Sequence, residues 1–459
     1  MTSIDAVTVD EFETFVDGER DAEPKRILFN VGHPAQVHLF RNAIADLQEM
    51  GHETLVASRH KEVAIDLLDA YDIEHVPMTK QADSFPGLVW EMFVNEKRLY
   101  QLAREFEPDV IVSRLAPPPV HVARLVGCKN LIVCDTLRGS MALRRIQHAM
   151  TLRWVDRILV PDQFQLDVDP GKRRHLPFQE LAYLHPKHFT PDPSVLEKHG
   201  IDPDERYFLL RLTGWGAYHD AGHSGLSPEG MRELVEFLQD HGTVYLSAEE
   251  GVPEDLEHLT LSTPPEDVHH VMYYADMYLG DSCTMSAEAA ILGTPAIRTN
   301  SIVGTTGEMI YKALKRYGLL QSIRDERKAI EAAKDLVLHP PDRAELQRRR
   351  EWMLDEQMDV NRVMVDEILA IAGTSREASP RPLAARDADV EAAVAAVGVG
   401  ATDGNDSVDA TDGVDAGDGS DDVDSDADDD VRADGEPHVE ATDGGTDVRD
   451  RTETGGDDA

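Results

Sequence analysis

Two histidines stand where an apolar run gives way to a helical pattern, in "NVGHPAQVHLFRNAIADLQEMGHE", which begins at Asn30 directly after "ILF". Gly32, His33 and Pro34 leave the strand, and His38 falls just before or within the first turn of the following helix. A helix N-terminus disfavours the imidazolium form, so a histidine there stays neutral and can accept a proton. His38 is therefore a candidate general base, and His33 a candidate neighbour that orients it or the acceptor. The competing reading is two histidines with a purely structural place in a turn, although the carboxyl end of a strand is also where α/β sheets bind ligands.

A second stretch, "LGDSCTMSAEAAILGTPAI" from Leu279 to Ile297, has the chemistry of an anion site. An apolar strand runs into Asp281 and Ser282, a helix of small residues follows, and Gly293-Thr294-Pro295 closes it before the next strand. Free backbone N–H groups at the helix start, with the hydroxyls of Ser282, Thr284 and Ser286, can hold a diphosphate. Glu288, one turn further on, is placed to accept hydrogen bonds from a ribose diol. An ordinary capped helix with Glu288 exposed on it accounts for the same residues. A third stretch, "RLTGWGAYHDAGHSG" from Arg211 to Gly225, lies at another strand end. Thr213, Gly214 and Gly216 would let the backbone approach phosphate, and Trp215 would line a base or sugar pocket; a flexible loop is the alternative.

The elements that must position these residues alternate. Between Arg26 and about Leu176, "RILFNVG", "ETLVASR", "IEHVPM", "DVIVSRL", "NLIVCDT" and "RILVPD" read as strands separated by amphipathic helices. A Pro-rich passage, "LHPKHFTPDPSVLEKHGIDPDER", comes next as an interdomain linker. The alternation then resumes with "RYFLLRLTG", "GTVYLSAE", "DMYLGDS" and "TPAIRTN". The pattern predicts an α/β protein of two doubly wound, Rossmann-like domains. The expected boundaries are a flexible N-terminus at 1–24, a first domain at 25–180, a second at 181–341 and one long helix at 342–373 that crosses back to the first domain. Beyond Thr374 the composition turns to Asp, Gly, Thr, Ala and Ser, too poor in apolar surface to offset chain entropy, so 374–459 is expected to be a disordered acidic tail. Its "DGSDDVDSDADDD" lacks the twelfth-position Glu and flanking helices of a calcium-binding EF-hand.

The formal net charge is −42, which argues against nucleic acid as a partner. Residues 401–459 hold 22 Asp and Glu against 3 Arg, leaving about −23 on the rest. Such a surface suits the salt-rich cytoplasm of a halophilic archaeon, where screening removes self-repulsion. Three scattered cysteines suggest neither a disulfide framework nor a zinc site. The acidic N-terminus lacks the pattern of a signal peptide, and no apolar run is long enough to span a membrane. A cytoplasmic location is expected.

Together, "GHPAQVHLFRNAIADLQEMGHE" and "LGDSCTMSAEAAILGTPAI" resemble the GT-B nucleotide-sugar enzymes, most closely the archaeal DUF354 family, over roughly Lys25 to Gly373. The better-known relatives are the lipid-linked N-acetylglucosaminyltransferase of peptidoglycan synthesis and UDP-N-acetylglucosamine 2-epimerase. The resemblance implies two domains facing a cleft, and inverting transfer of a sugar from a nucleotide-sugar to an acceptor hydroxyl with no cofactor and no metal. His38 matches the transferase's Gly-His in position, although the glycine-rich loop there is replaced by "GHPAQV"; Glu288 and "GTPAI" match its ribose-binding glutamate and the Gly-x-Pro that ends the same helix. The diphosphate would lie against the helix after Ser282, Arg298 would neutralise the leaving group, and His38 would act from the opposite wall. A lipid-linked or glycan acceptor would place the protein at the inner face of the membrane. Asp281, Ser282, Glu288, Gly293, Pro295 and Arg298 also fit the epimerase signature, but its two glycines are Cys283 and Thr284 here and its Gly-Thr-Arg-Pro-Glu start is absent. Epimerisation is thus the alternative, and a non-catalytic nucleotide-sugar binding protein a further one.

Overall fold

A computed structural model describes residues 23–373, apart from 61, 81–84, 135–140, 162–165, 213–224, 249–251, 262 and 305–308. Thr213, Gly214 and the acidic tail therefore lie outside the described residues.

The first lobe runs β1 (Arg26–Val31), α1 (Pro34–Glu49), β2 (Glu53–His60), α2 (Glu62–Ala70), β3 (His75–Lys80), α3 (Phe85–Phe106), β4 (Val110–Arg114), α4 (Pro117–Val126), β5 (Lys129–Val133), α5 (Met141–Thr151), β6 (Arg157–Val160) and β7 (Arg173–His175). Its seven strands lie in the order β3-β2-β1-β4-β5-β6-β7, every pair parallel. Helices cover both faces of such a sheet, so its inner strands are nearly continuous apolar runs; Ile27, Leu28, Phe29, Ile111, Val112, Leu131 and Ile132 are all sealed from solvent.

Two short helices follow, α6 (Leu181–Leu184) just before the passage read as a linker and α7 (Ser194–Lys198) within it. The second lobe contains β8 (Tyr207–Leu212), α8 (Pro228–Gln239), β9 (Thr243–Ala248), α9 (Val268–Tyr274), β10 (Met277–Gly280), α10 (Cys283–Leu292), β11 (Ala296–Arg298), α11 (Met309–Arg316), β12 (Leu320–Ser322) and α12 (Glu326–Leu338). Its five parallel strands take the order β12-β11-β10-β8-β9. Strand order reverses between β1 and β4 in one sheet and between β8 and β10 in the other, and it is beyond the carboxyl ends of the strands at such a reversal that open α/β sheets bind ligands.

The single helix expected over 342–373 is two: α13 (Arg343–Glu356) and α14 (Val360–Gly373). Asp359 breaks the run by accepting from the N–H of Arg362 at 3.2 Å, as an N-cap does. The break redirects the chain. Arg350 of α13 donates to the Ile291 carbonyl in the second lobe at 2.9 Å, whereas Asn361 of α14 donates to Asp46 in the first at 2.6 Å and Glu367 pairs with Arg157 and Arg174, each at 2.8 Å. One apolar core runs through both lobes, from Phe29, Phe40 and Leu47 through Tyr183 and Tyr207 to Ile291, Met353 and Ile368. Burying each such large side chain contributes about 1.5–3 kcal/mol, so contact between the lobes is part of the core.

Candidate functional site

At the reversal of the second sheet, α10 begins. Ser282 is its N-cap, its hydroxyl accepting from the Met285 N–H at 3.4 Å, and Gly293 ends it at φ +88°, a conformation that disfavours any side chain. Residues 282–285 are half-buried, while Ser286 through Leu292 are buried. The helix thus leaves only its N-terminal turn partly exposed. Ser286, one of the hydroxyls read as a phosphate ligand, is sealed inside and donates to the Ser282 carbonyl at 2.6 Å. Thr284 stays half-exposed at the opening. The backbone is tight here: a Cβ on Gly225 would fall 1.9 Å from Oδ2 of Asp281, so only glycine brings that chain so close.

Glu288 does not point into open solvent. It is 4 % exposed. Its Oε1 accepts from the Tyr183 hydroxyl at 2.7 Å and lies 3.2 Å from Nε2 of His269. Burial by itself would raise this carboxyl, but the His269 charge and the hydrogen bonds from His269 and Tyr183 outweigh it and hold the group below the usual carboxylate range. Glu288 is therefore an ionised carboxylate with partners in place. Arg298 is 1 % exposed, its guanidinium carbon 3.6 Å from the centre of the Tyr311 ring, so its charge is buried against that ring rather than open to solvent.

The two histidines of the opening stretch diverge. His33 is exposed and caps α1, its Nδ1 accepting from the Ala35 N–H at 3.2 Å. His38, in the second turn, is 6 % exposed and faces the junction of the lobes rather than an open cleft. Its ring stacks on Tyr183 at 5.3 Å, meets His269 edge-on at 4.9 Å, and its Nδ1 is 3.4 Å from the Tyr71 hydroxyl. Burial, reinforced by the neighbouring His269 and Arg41 charges, lowers its proton affinity well below that of a free imidazole, so it is neutral. It lies one turn beyond the helix start at which the sequence placed it.

His38, Tyr183, His269 and Glu288 thus form one buried cluster. Tyr183 and His269 carry no local sequence signal: Tyr183 falls just before the Pro-rich linker passage, and "EDVHHVMYYA" reads as an ordinary helix. Only the folding of α6 and α9 onto α1 and α10 brings them to the histidine and the glutamate.

The sequence matches the family described as "Protein of unknown function (DUF354)" over residues 26–368. The chain belongs to this family. This DUF354 chain is 23% identical over 274 residues to the "Uncharacterized protein MJ0665" of Methanocaldococcus jannaschii, covering 57% of this chain and 77% of that one. UDP-GlcNAc 2-epimerase from Neisseria meningitidis, solved bound to UDP-GlcNAc, superposes with a TM-score of 0.56 at 13% identity, over 75% of this chain and 100% of that one. The spinosyn forosaminyltransferase SpnP does so with 0.53 at 14%, over 76% and 100%. At such identities the likeness shows the fold: two facing Rossmann-like lobes of the GT-B type. Among the described residues no helix is long and apolar enough to cross a membrane.

Proposed function

We propose that this protein is a nucleotide-sugar enzyme that transfers a sugar to an acceptor hydroxyl, with inversion and without a metal ion. The observation that carries the reading is α10, which is buried from Ser286 to Leu292 and leaves only its N-terminal turn partly exposed at the sheet reversal. The N–H groups of a helix's first turn and the helix dipole favour a diphosphate there. Thr284 supplies a hydroxyl there, and the buried charge of Arg298, at the end of the neighbouring β11, acts through low-dielectric protein on negative charge growing on the leaving group. His38, neutral in the resting protein although its buried setting lowers its proton affinity, is the base that takes the proton of the acceptor. The likeness to UDP-GlcNAc 2-epimerase and SpnP, whose names specify a nucleotide-sugar and a sugar transfer, agrees with this class of substrate.

A second reading has its own support. Tyr71, Tyr183 and His269 crowd the His38 ring and leave little room beside it for a second substrate, which favours epimerisation, where the base works on the donor's own sugar. Titration calorimetry with UDP, GDP and dTDP identifies the base, and incubation with sugars on that carrier, with and without an alcohol acceptor, separates the readings. Carrier release that depends on the acceptor supports transfer, and an isomerised sugar without acceptor supports epimerisation. Binding with no turnover leaves a binding protein, and no binding to any of the three sinks the proposal.

A further inference from the structure

The groups of the buried cluster come in two pairs, one from each lobe. His38 lies on α1, and Tyr183 lies on α6, which is fastened to α1 by the 2.7 Å hydrogen bond from Asn42 to the Ala182 carbonyl. His269 and Glu288 lie on α9 and α10 of the second lobe. The Tyr183 hydroxyl therefore reaches across the lobe boundary to a carboxylate that already has a partner, His269, on its own side. Tyr183 is 2 % exposed and its ring also covers one face of His38. A single side chain thus caps both the carboxylate read as a ribose contact and the imidazole read as the base.

We propose that the Tyr183–Glu288 hydrogen bond is a latch between the lobes, in which the tyrosine hydroxyl occupies the place taken by a ribose hydroxyl of the bound nucleotide. This rests on the donor reading above. The exchange is balanced: one O–H donor to Glu288 replaces another, His269 remains, and no buried charge is left without a donor. Burial and the Glu288 charge hold the Tyr183 hydroxyl well above its usual proton affinity, so it remains a donor at any working pH. Breaking this bond also removes one of the ties that hold the His269 edge of the second lobe against His38, so donor arrival and access to His38 are coupled.

The test compares the parent with Tyr183→Phe, which keeps the ring on His38 and removes only the hydroxyl. Calorimetry with UDP, or with GDP or ADP if UDP does not bind, is paired with the 2′,3′-dideoxy form of the same nucleotide. With the competing hydroxyl gone, Tyr183→Phe should bind the ribonucleotide about 10-fold or more tightly, since a hydrogen bond to a buried charge has been removed from the free state. The dideoxy form, which cannot replace that hydroxyl, should bind both proteins alike. Equal or weaker ribonucleotide binding by Tyr183→Phe overturns the latch. If the parent binds none of the nucleotides, it is the donor reading that fails. The rate at which diethylpyrocarbonate modifies His38 in ligand-free protein then decides the latch, faster in Tyr183→Phe supporting it and unchanged overturning it.

Discussion

An imidazole held neutral in the interior makes folding sensitive to acid. His38 binds a proton less readily when folded than when unfolded, so its contribution to stability is present above the unfolded value near 6.5 and declines as the pH falls below it. Glu288 acts in the same direction further down, since a carboxyl lowered in the fold loses its contribution as the pH falls through the folded value. His52, His185 and His270 are also lowered, chiefly by burial. Unfolding stability should therefore drop from pH 7.5 to 5.5, and His38→Gln should flatten that drop by up to about 1.4 kcal/mol per pH unit. Denaturation curves at several pH values check this; an unaltered slope in His38→Gln would show that His38 takes up no proton on unfolding in this range. Glu288→Ala is expected to act twice. It removes a proposed nucleotide contact, for a loss of roughly 10- to 150-fold in affinity, and it strips the buried His269 and Tyr183 of their acceptor, for about 3 kcal/mol in stability. Calorimetry and denaturation on one preparation separate the two, and an undiminished unfolding midpoint would contradict the buried pair.

Among the elements, α10 carries the sharpest division of labour, since the turn proposed to meet phosphate is also the turn that starts the helix. Ser282→Ala removes the cap and should cost about 1 kcal/mol, whereas Ser282→Gly should cost only a few tenths. If the Ser282 hydroxyl also serves the ligand, nucleotide affinity falls in both variants although stability falls in one. Thermal midpoints and affinities together test this, and full affinity in Ser282→Gly would assign Ser282 to capping alone. The long elements of this architecture were legible because hydrophobic periodicity marks them. "RILFNV", "VIVSR" and "YFLLRL" are strands as their composition predicts, and "LFRNAIADLQEM" overlaps a helix over nearly all its length. The three-residue strands β7 and β12 passed unnoticed, as did helices α6 and α7, because a run that short shows no period. The break between α13 and α14 has neither Gly nor Pro; Asp359 is its only local mark, and an aspartate in a helical run looks like any exposed acid.

For the molecule as a whole, electrostatics sets the conditions under which the two lobes stay together. With about −23 formal charges on the first 400 residues, dilution of salt from about 0.1 M to 0.01 M lengthens the range of repulsion from about 10 Å to about 30 Å. Surface ion pairs such as Arg232–Asp255 and Lys334–Glu233 offset only part of this, because water and salt screen exposed pairs. Dialysis into dilute buffer should therefore unfold the protein or loosen its lobes. Circular dichroism and scattering during salt removal test that, and an unchanged spectrum and radius in dilute buffer would contradict the halophilic reading.

The sequence by itself determined the class of fold, the two Rossmann-like units and the stretches that end at the sheet reversals, because strand and helix periods, caps and glycine positions are local properties. It singled out His38 and Glu288 by type and spacing. Tertiary structure alone decided what those side chains meet. A histidine read as facing a cleft is packed between lobes, and a glutamate read as awaiting a ribose already holds a tyrosine and a histidine. Their sequence separations are large, 145 residues from His38 to Tyr183 and 105 from Tyr183 to Glu288, and no local pattern encodes which distant surfaces meet when both lobes bury their apolar faces in one core.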